Sequence, residues 1–362
     1  MTDFAERLGR LQEVIRHAQV ELVAIGPTAN MRYLLGYVPH PDERLCLLLV
    51  SPETARLVVP TLNVDVVAAH TDLPLEQWPD AEGPHLALRR ALTGLPVKRL
   101  AIDGTMRADF LLPLLTAASP QETVTVEALL APLRARKSAA EIEALALAAA
   151  QADRAMQVAM DACRPGVTEA DVAWAAEEAF RKDGAQAVTF TLVASGPNGA
   201  FPHHHSGSRR LQAGDAVIID MGATLNGYQS DITRMVFLGE PPAEIWQAYE
   251  AVLAANERGR AAVKPGVTAQ EVDQATRRVL EAAGYGDYFI HRTGHGLGLE
   301  IHEPPWIMAG NEQILAEGMV FSVEPGVYLP GQFGIRIEDI VAVTGAGVRT
   351  LTGFDHQLVV KR

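Results

Sequence analysis

The stretch that decides the fold is GDAVIIDMGATLNGYQSDITRMVFLG, residues 214–239. Residues 216–221 have the uninterrupted apolar character of a buried strand. Asn226 and Gly227 form the dipeptide that most strongly signals a two-residue hairpin turn. The stretch is therefore predicted to be a β-hairpin in the protein interior.

The position of that turn sets the register of the hairpin. With Asn226 and Gly227 in the turn, the numbers of opposed residues add up to 453, so Asp231 faces Gly222. Asp231 then lies two residues from the partner of Asp220. Because side chains alternate along a strand, the two carboxylates are predicted to share one face.

A second acidic pair follows the same logic. Glu324 in SVEPGVY and Glu338 in RIED are equally far from Gly331 in LPGQFG. If the chain turns at that glycine, the two glutamates also face each other.

Carboxylates inside apolar strands are costly unless they are protonated, ion-paired or bound to metal. Sharing protons could neutralise some of the four acids, but it could not remove the cost of burying all of them. A single one of these acids would be interpreted as part of a hairpin salt bridge or as a solvated strand position. The four acids together predict a metal site.

His295, in HRTGHGLGLEIHE, would add a nitrogen ligand. Its glycine neighbours let the backbone approach a site closely, although a histidine in such a loop is often structural. An oxygen-rich set with one imidazole suits Mn²⁺, Co²⁺, Fe²⁺ or Zn²⁺.

The second part of the chain contains a diluted internal repeat. RPGVTEADV begins at residue 164 and KPGVTAQEV at residue 264, and each carries a capping box that opens a helix. Both helices are expected to end near a glycine, Gly184 or Gly284, and the strands ending in Asp220 and Glu324 each start six residues earlier at a glycine. Chance could produce one such match, but the ordered series predicts a pseudo-twofold domain with its site between the halves.

The first part of the chain alternates helical and strand-like patterns, which indicates a small α/β domain. The predicted helices are 4–17 and 108–118, and the predicted strands are 21–25, 44–50, 56–59 and 99–102. A long helix over 138–162 follows. The predicted domains are residues 1–131 and 132–362.

Composition excludes several classes of partner. With 31 Lys and Arg against 44 Asp and Glu, the net charge of −13 repels a phosphate backbone, so no nucleic acid is expected. The apolar run 45–50 is far too short to span a bilayer, so no membrane insertion is expected. Two cysteines, Cys46 and Cys163, and an N-terminus without a signal-peptide layout predict a reducing cytoplasm.

Taken together, these residues resemble the pita-bread peptidases: prolidase, aminopeptidase P, methionine aminopeptidase and, without metal, creatinase. The match runs from LRARKSAAEIE at residue 133 to RIEDIVAVT at residue 336. The N-terminal part, with NMRYLLGY from residue 30, looks like the creatinase-type domain. The resemblance implies an α/β creatinase-like domain followed by an α+β pseudo-twofold pita-bread catalytic domain.

The resemblance also implies the metal ligands. The family's ordered Asp, Asp, His, Glu and Glu fall on Asp220, Asp231, His295, Glu324 and Glu338. They would hold two divalent ions, Mn²⁺ or Co²⁺ before Zn²⁺ or Fe²⁺, and no other cofactor. Asp231 and Glu338 would bridge the ions, Asp220 would complete one shell, and His295 and Glu324 the other. A hydroxide between the ions would attack the scissile carbonyl, with Glu324 as proton acceptor.

On the substrate side, the resemblance places His203 and His302 beside the scissile bond, where they would stabilise the oxyanion and hold the proline residue. His291 is a further candidate for substrate binding or for supporting the site. Arg336 would orient a carboxylate or meet the substrate terminus. The two histidines that follow His203 are open between a metal-binding tract and a solvated loop.

The resemblance implies hydrolysis of Xaa-Pro bonds, which ordinary peptidases handle poorly because proline's nitrogen carries no N–H and its ring constrains the preceding bond. Some prolidases place an arginine shortly after the HE motif, whereas this chain reads HEPPWIM with Trp306 there. Arg209, Arg210 or Arg292 could substitute for it. The modest length resembles small microbial prolidases, so an Xaa-Pro dipeptidase acting as a homodimer is expected.

Other functions stay open. An aminopeptidase P would act on longer peptides, and a methionine aminopeptidase would cleave another bond. A noncatalytic pita-bread interaction module and a metal-free creatinase-like hydrolase are disfavoured, because both should lack these ligands.

Overall fold

A computed structural model describes residues 4–361. Backbone contacts divide the chain into two compact units, one ending at Arg134 and the other beginning at Ala135. Among the residues described, no helix combines the length and apolarity needed to cross a lipid bilayer.

The first unit is built around a mixed six-stranded sheet in the order β4-β3-β2-β1-β5-β6. Its helices are α1 (Phe4–His17), α2 (Ala29–Leu35), α3 (Val64–Ala68), α4 (His85–Ala91), α5 (Ala108–Ala118) and α6 (Glu127–Ala135). Its strands are β1 (Leu22–Ile25), β2 (Leu47–Val50), β3 (Ala55–Pro60), β4 (Leu75–Trp78), β5 (Arg99–Ile102) and β6 (Glu122–Thr125). The predicted α/β character is confirmed.

The six patterns expected in this unit all correspond to observed elements, and α1, α5 and β5 have the expected limits. Strands β4 and β6 were not predicted because the segments LEQW and ETVT lack a run of apolar residues. Both lie at the edges of the sheet, where one side-chain face and one backbone edge remain exposed to solvent. Edge strands of this kind carry a weak sequence signal.

The second unit contains four helices and three sheets. The helices are α7 (Ala139–Ala162), α8 (Glu169–Lys182), α9 (Ala243–Ala262) and α10 (Ala269–Ala282). The strands are β7 (Ala187–Ser195), β8 (Ala216–Leu225), β9 (Tyr228–Gln229), β10 (Ile232–Leu238), β11 (Gly294–Gly296), β12 (Glu303–Ile307), β13 (Val320–Val323), β14 (Gly326–Leu329), β15 (Phe333–Arg336), β16 (Asp339–Thr344), β17 (Gly347–Thr350) and β18 (Val359–Lys361). Short 3-10 turns occupy Thr61–Asn63, Gly196–Ala200 and Gly286–Tyr288.

The internal repeat is confirmed in this unit. Helices α8 and α10 have the same length and open with reciprocal capping boxes, formed by Thr168 with Asp171 and by Thr268 with Glu271. Each repeat supplies a helix pair and most or all of one sheet, ordered β18-β10-β8-β7 for the first repeat and β12-β11-β13-β16-β17 for the second. Strand β18 is added to the first sheet by the C-terminal segment. Both helices are followed by a glycine with positive φ, which ends the helix in the left-handed conformation.

The register of both predicted hairpins is also confirmed. Asp220 pairs with Thr233 across β8 and β10, and Asn226 and Gly227 both have positive φ in the turn. In the second half, β14 and β15 pair symmetrically about Gly331, and the same register continues where β13 and β16 pair. Glu324 and Glu338 lie at the junction between these two ladders.

Strand β8 shows how packing aims the acids inward. Val217, Ile219 and Met221 pack against helices α7 and α8. With a side-chain period of two, Asp220 therefore points to the opposite face. The hydrophobic layer thus turns the carboxylate towards the centre of the second unit.

Candidate metal centre

Three of the predicted ligands converge most closely. Asp231, His295 and Glu338 are all buried, and each offers a ligand atom within 4.8 Å of the others. Glu324 joins them through His295, whose Nε2 lies 3.3 Å from Glu324 Oε1 and 3.7 Å from Asp231 Oδ2. Asp220 is linked to this group through the side chains of Thr233 and Arg336.

The ring of His295 is oriented with a lone pair towards the acids. Its Nδ1 lies 3.2 Å from the carbonyl oxygen of Gly296, which can only accept, so Nδ1 carries the proton and Nε2 is free. Burial, together with the nearby His302, lowers the pKa of His295 to about 3. The imidazole is therefore neutral near pH 7, which is the form that binds metal.

The carboxylates repel one another strongly without a cation. Burial raises the pKa of Asp231 and of Glu338 well above the ordinary range, and the neighbouring acids add to the effect. Burial also raises the pKa of Glu324 to about 7. Such raised pKa values mark a place where the anionic forms need a positive partner.

One oxygen of Glu338 is left without a partner. Glu338 Oε2 accepts a hydrogen bond from Thr233 Oγ1 at 2.8 Å, but the buried Oε1 has no hydrogen-bond partner among residues 4–361. A buried polar atom without a partner costs free energy. Together with the neutral His295, this oxygen fits a divalent cation bound at the centre of the cluster.

Arg336 and Thr233 connect Asp220 to that cluster. Arg336 is almost completely buried and donates to Asp220 Oδ2 at 2.6 Å, Thr233 Oγ1 at 3.1 Å and Tyr328 Oη at 2.8 Å. Thr233 Oγ1 also lies 3.0 Å from Asp220 Oδ1. Both oxygens of Asp220 are thereby held in a defined orientation.

His291 lies behind the cluster rather than among the ligands. Its Nδ1 donates to the carbonyl oxygen of Arg292 at 2.7 Å, so its Nε2 accepts from Tyr328 Oη at 2.9 Å. Burial and the charge of Arg336 lower the pKa of His291 to about 4. The hydrogen bonds run from His291 through Tyr328 and Arg336 to Asp220.

His203 and His302 lie on the open side of the centre. Both side chains are exposed, and the ring of His302 meets the ring of His295 edge-on at 4.2 Å. Burial, Arg292 and His203 lower the pKa of His302, in that order. The two histidines are therefore close enough for their charges to interact.

The other two histidines of the triplet differ from His203. His204 Nε2 donates to Glu169 Oε2 at 2.9 Å, whereas His205 is exposed. Glu169 is fully buried and also accepts from the backbone and side chain of Ser195. His204 therefore anchors the loop that carries His203, and among residues 4–361 it is not part of a metal-binding group.

A buried acid and a buried ion pair anchor the other loops of the site. Asp273 accepts from the backbone and hydroxyl of Thr293 at 3.2 and 2.7 Å, which fixes the loop before His295. Lys137 Nζ lies 2.7 Å from Glu303 Oε1, next to His302, and both side chains are nearly inaccessible to solvent. Each loop with a predicted site residue is thus tied to a buried ion or acid.

Glycines allow the close approach that the sequence suggested. A side chain at Gly294 would collide with the carbonyl oxygen of Ser322, and one at Gly296 would collide with the backbone at Glu303 and Pro304. The strand that carries His295 is therefore pressed between its two neighbours. The close approach that requires these glycines is therefore between neighbouring strands, and their expected role beside a bound group stays a prediction.

Sequence reasoning missed Thr233, Tyr328 and the anchoring acids. Thr233 had a detectable signal, because it lies two residues from Asp231 and so on the same strand face. Tyr328 had none, since a buried tyrosine in a strand is ordinarily a core residue. Glu169 and Asp273 lie on helices far from the ligands in sequence, and only the fold brings them to the loops.

Comparison with known proteins gives two family matches. A family model described as metallopeptidase family M24 matches residues 143–345. A second, described as the creatinase/prolidase N-terminal domain, matches residues 7–136. Between them the two models account for most of the chain.

Full-length relatives are similar over nearly all of the sequence. The probable dipeptidase PepE of Mycobacterium bovis is 39% identical, with 99% of this chain and 96% of that protein covered. The Xaa-Pro dipeptidase of Pyrococcus furiosus is 35% identical, with 98% and 99% covered. The crystal structure of recombinant prolidase from Thermococcus sibiricus superimposes with a TM-score of 0.94 at 35% identity, covering 99% and 100% of the two chains. The predicted creatinase-like and pita-bread fold is confirmed.

Proposed function

The chain belongs to metallopeptidase family M24, with a creatinase/prolidase N-terminal domain, and we propose that it hydrolyses Xaa-Pro dipeptides. The observation that carries this proposal is the buried group of Asp231, His295 and Glu338, in which one carboxylate oxygen of Glu338 has no hydrogen-bond partner within residues 4–361. The relatives named as dipeptidases and prolidases supply the substrate class.

We propose that Asp220, Asp231, His295, Glu324 and Glu338 hold two divalent ions, with Asp231 and Glu338 shared between them. Bound cations would supply Lewis acidity and would lower the pKa of a water molecule towards neutrality. The protein contributes the orientation of the ligands. Ser322 Oγ donates to Glu324 Oε1 at 3.0 Å, which leaves the other Glu324 oxygen free to accept a proton.

His203 and His302 are assigned to the substrate. Both are exposed beside the cluster, so their ring N–H groups can donate to the scissile carbonyl as negative charge develops on its oxygen. His302 contacts His295 and is therefore fixed relative to the ligands. Proline supplies no N–H, so the substrate offers no hydrogen-bond donor on the nitrogen side of the scissile bond.

Arg336 and His291 are assigned to supporting roles. The guanidinium of Arg336 is buried and already bonded to three side chains, which favours orientation of Asp220 over contact with the substrate terminus. His291 supports the same network through Tyr328. Removing such a partner typically lowers metal affinity or activity by about 10- to 100-fold.

The direct test is a rate comparison with Mn²⁺ or Co²⁺ supplied. Ala-Pro, Ala-Pro-Ala and a longer Xaa-Pro peptide should be compared, with Met-Ala-Ser as a control for methionine aminopeptidase activity. We expect the highest kcat/KM for Ala-Pro. A preference for the longer peptides would assign the chain as an aminopeptidase P, and a protein without bound metal that stays inert in Mn²⁺ and Co²⁺ would support a noncatalytic module.

The identity of the metal, the cellular location and the oligomeric state are also proposals. We expect Mn²⁺ or Co²⁺ before Zn²⁺ or Fe²⁺, because the ligands are mostly carboxylates, and elemental analysis of the purified protein would decide. A cytoplasmic location is supported by two buried free thiols, Cys46 and Cys163. A homodimer is expected from the family resemblance, and sedimentation equilibrium would test it.

A further inference from the structure

Arg292 stands out among the cations of the second unit because it is half-buried and yet makes no hydrogen bond or ion pair within residues 4–361. Its guanidinium carbon lies 4.4 Å from the centre of the Trp306 ring, over which it is stacked. A partly desolvated guanidinium with unused donors is costly, so this arrangement is typical of a group that awaits an anion.

The stack is held in place by its surroundings. His295 and Trp306 are directly paired across β11 and β12, and Arg292 lies three residues before His295. Asp273 fixes the intervening Thr293, and Asn311 Nδ2 donates to the carbonyl oxygen of Trp306 at 2.6 Å. The flat face of the indole therefore fixes the plane of the guanidinium next to the metal ligands.

Arg292 lies on the same side of the proposed ligands as His302. Paired residues of neighbouring strands share a face of the sheet, so the indole under Arg292 lies on the face of His295, whose ring meets that of His302 at 4.2 Å. His302 is the exposed residue assigned to the substrate. A molecule held by His302 would thus have one end near the unused guanidinium donors.

The other arginines considered for this task are occupied. Arg209 donates to both oxygens of Asp215 at 2.6 and 2.9 Å and contacts Ser195. Arg210 donates to the carbonyl oxygen of Gly166 at 2.7 Å from an exposed position. Only Arg292 of the three combines free donors with proximity to the proposed metal ligands.

We propose that Arg292, held against Trp306, binds the C-terminal carboxylate of the substrate and so selects dipeptides over longer peptides. This inference rests on the proposed function. A planar guanidinium pairs with a carboxylate through two parallel hydrogen bonds. In a longer peptide the same position holds a neutral amide, which leaves the guanidinium without its counter-charge.

The test compares Ala-Pro with Ala-Pro-NH₂, which differ only in the C-terminal charge. The full-length, metal-loaded wild type should be measured beside Arg292→Gln, Arg292→Lys and the matched control Arg210→Gln. The amide is measured both as a substrate and as a competitive inhibitor of Ala-Pro cleavage. The inhibition gives its apparent affinity even if its turnover is slow. Thermal unfolding of each variant checks that the fold is kept.

We expect Arg292→Gln to lower kcat/KM for Ala-Pro by about 10- to 100-fold, mainly through KM. The kcat/KM and the apparent affinity for Ala-Pro-NH₂ should change by no more than about twofold, since the amide has no carboxylate to pair with the guanidinium. Arg292→Lys should recover part of the loss because it keeps the charge but not the planar fork. Arg210→Gln should match the wild type with both compounds.

Two outcomes would overturn the inference. An equal loss with the acid and the amide would mean that Arg292 acts on the metal centre or the loop, and no loss with either would mean that it is idle. A selective loss in Arg210→Gln would move the carboxylate site to that residue. Failure of the wild type to cleave Ala-Pro, with cleavage of Ala-Pro-Ala or Met-Ala-Ser, would instead contradict the proposed function.

Discussion

At the scale of the residue, Glu338 shows the tension in the site most directly. One carboxylate oxygen is bonded to Thr233, and the other is buried without a partner among the described residues. Asp231 is also buried, and the groups that lie nearest to its carboxylate are the other proposed ligands, such as His295. Both residues lower the folding stability of the metal-free protein, and a bound cation would offset the cost of their buried negative charge.

We predict that Asp231→Ala or Glu338→Ala abolishes turnover and leaves a folded chain, because each removes a ligand proposed to be shared by both ions. Bound metal measured by elemental analysis should fall together with activity. Glu312→Ala serves as the control, since Glu312 is exposed on a loop. Full activity in either ligand variant would contradict the bridging assignment.

Tyr328→Phe isolates the hydroxyl that joins His291 to Arg336. The ring still fills the core, so the expected effects are a roughly 10-fold or greater fall in kcat and a loss of about 1 to 3 kcal/mol in the free energy of unfolding. Steady-state kinetics and urea denaturation measure the two effects. Tyr288→Phe, at an exposed position, should change neither. Unchanged kinetics in Tyr328→Phe would show that Asp220 keeps its orientation without the network.

At the scale of the element, the elements were predicted best where the chain is both buried and periodic. The two hairpin registers followed from turn position alone, because a shift of one residue would move every apolar side chain to the wrong face. The limits of α1 and α5 followed from strong helical patterns. Short elements such as β4 and β6 were missed because their sequences carry no apolar run.

The anchoring of the loops could not be predicted at this scale. Asp273 lies on α10 and is completely buried, yet its task is to hold Thr293 in the loop that leads to His295. Glu169 on α8 does the same for the loop of His203 through His204. In sequence both acids look like ordinary polar positions of amphipathic helices, because hydrogen bonds between distant segments leave no periodic signal.

Asp273→Ala should destabilise the protein by about 3 to 5 kcal/mol, since it leaves the buried backbone and hydroxyl donors of Thr293 without their acceptor and removes the charge partner of Arg277. Chemical denaturation of the metal-free protein measures this effect apart from metal binding. Asp287→Ala is the matched control, because Asp287 is an exposed acid in the segment that follows the same helix. Equal stability of the two variants would contradict the anchoring role.

At the scale of the whole molecule, the stability of the metal-free protein should depend on pH. Burial raises the pKa of Glu324 to about 7 from an ordinary value of 4.5, so the folded chain keeps a proton that the unfolded chain releases. The free energy of unfolding should therefore fall as pH rises from about 4.5 to about 7. The fall from Glu324 alone is on the order of 3 kcal/mol, and Asp231 and Glu338 act in the same direction.

Urea denaturation in EDTA across this pH range measures the effect. The same series with Mn²⁺ should show a smaller fall or none, because the ions bind the deprotonated ligands and replace the repulsion with attraction. A stability that rises with pH in EDTA would show that the carboxylates have partners other than metal.

The sequence by itself determined the alternation of elements, the internal duplication and the facing of Asp220 with Asp231 and of Glu324 with Glu338. These features are local or follow from a turn of known position, and strand periodicity carries them over short distances. Only the tertiary structure decided that Asp231, His295 and Glu338 converge within 4.8 Å. It also decided that Arg292 makes no hydrogen bond or ion pair within residues 4–361, whereas Arg209 and Arg210 have hydrogen-bond partners. Those facts depend on how distant segments pack, and packing is set by shape and hydrogen bonding between residues whose separation in sequence gives no measure of their distance in space.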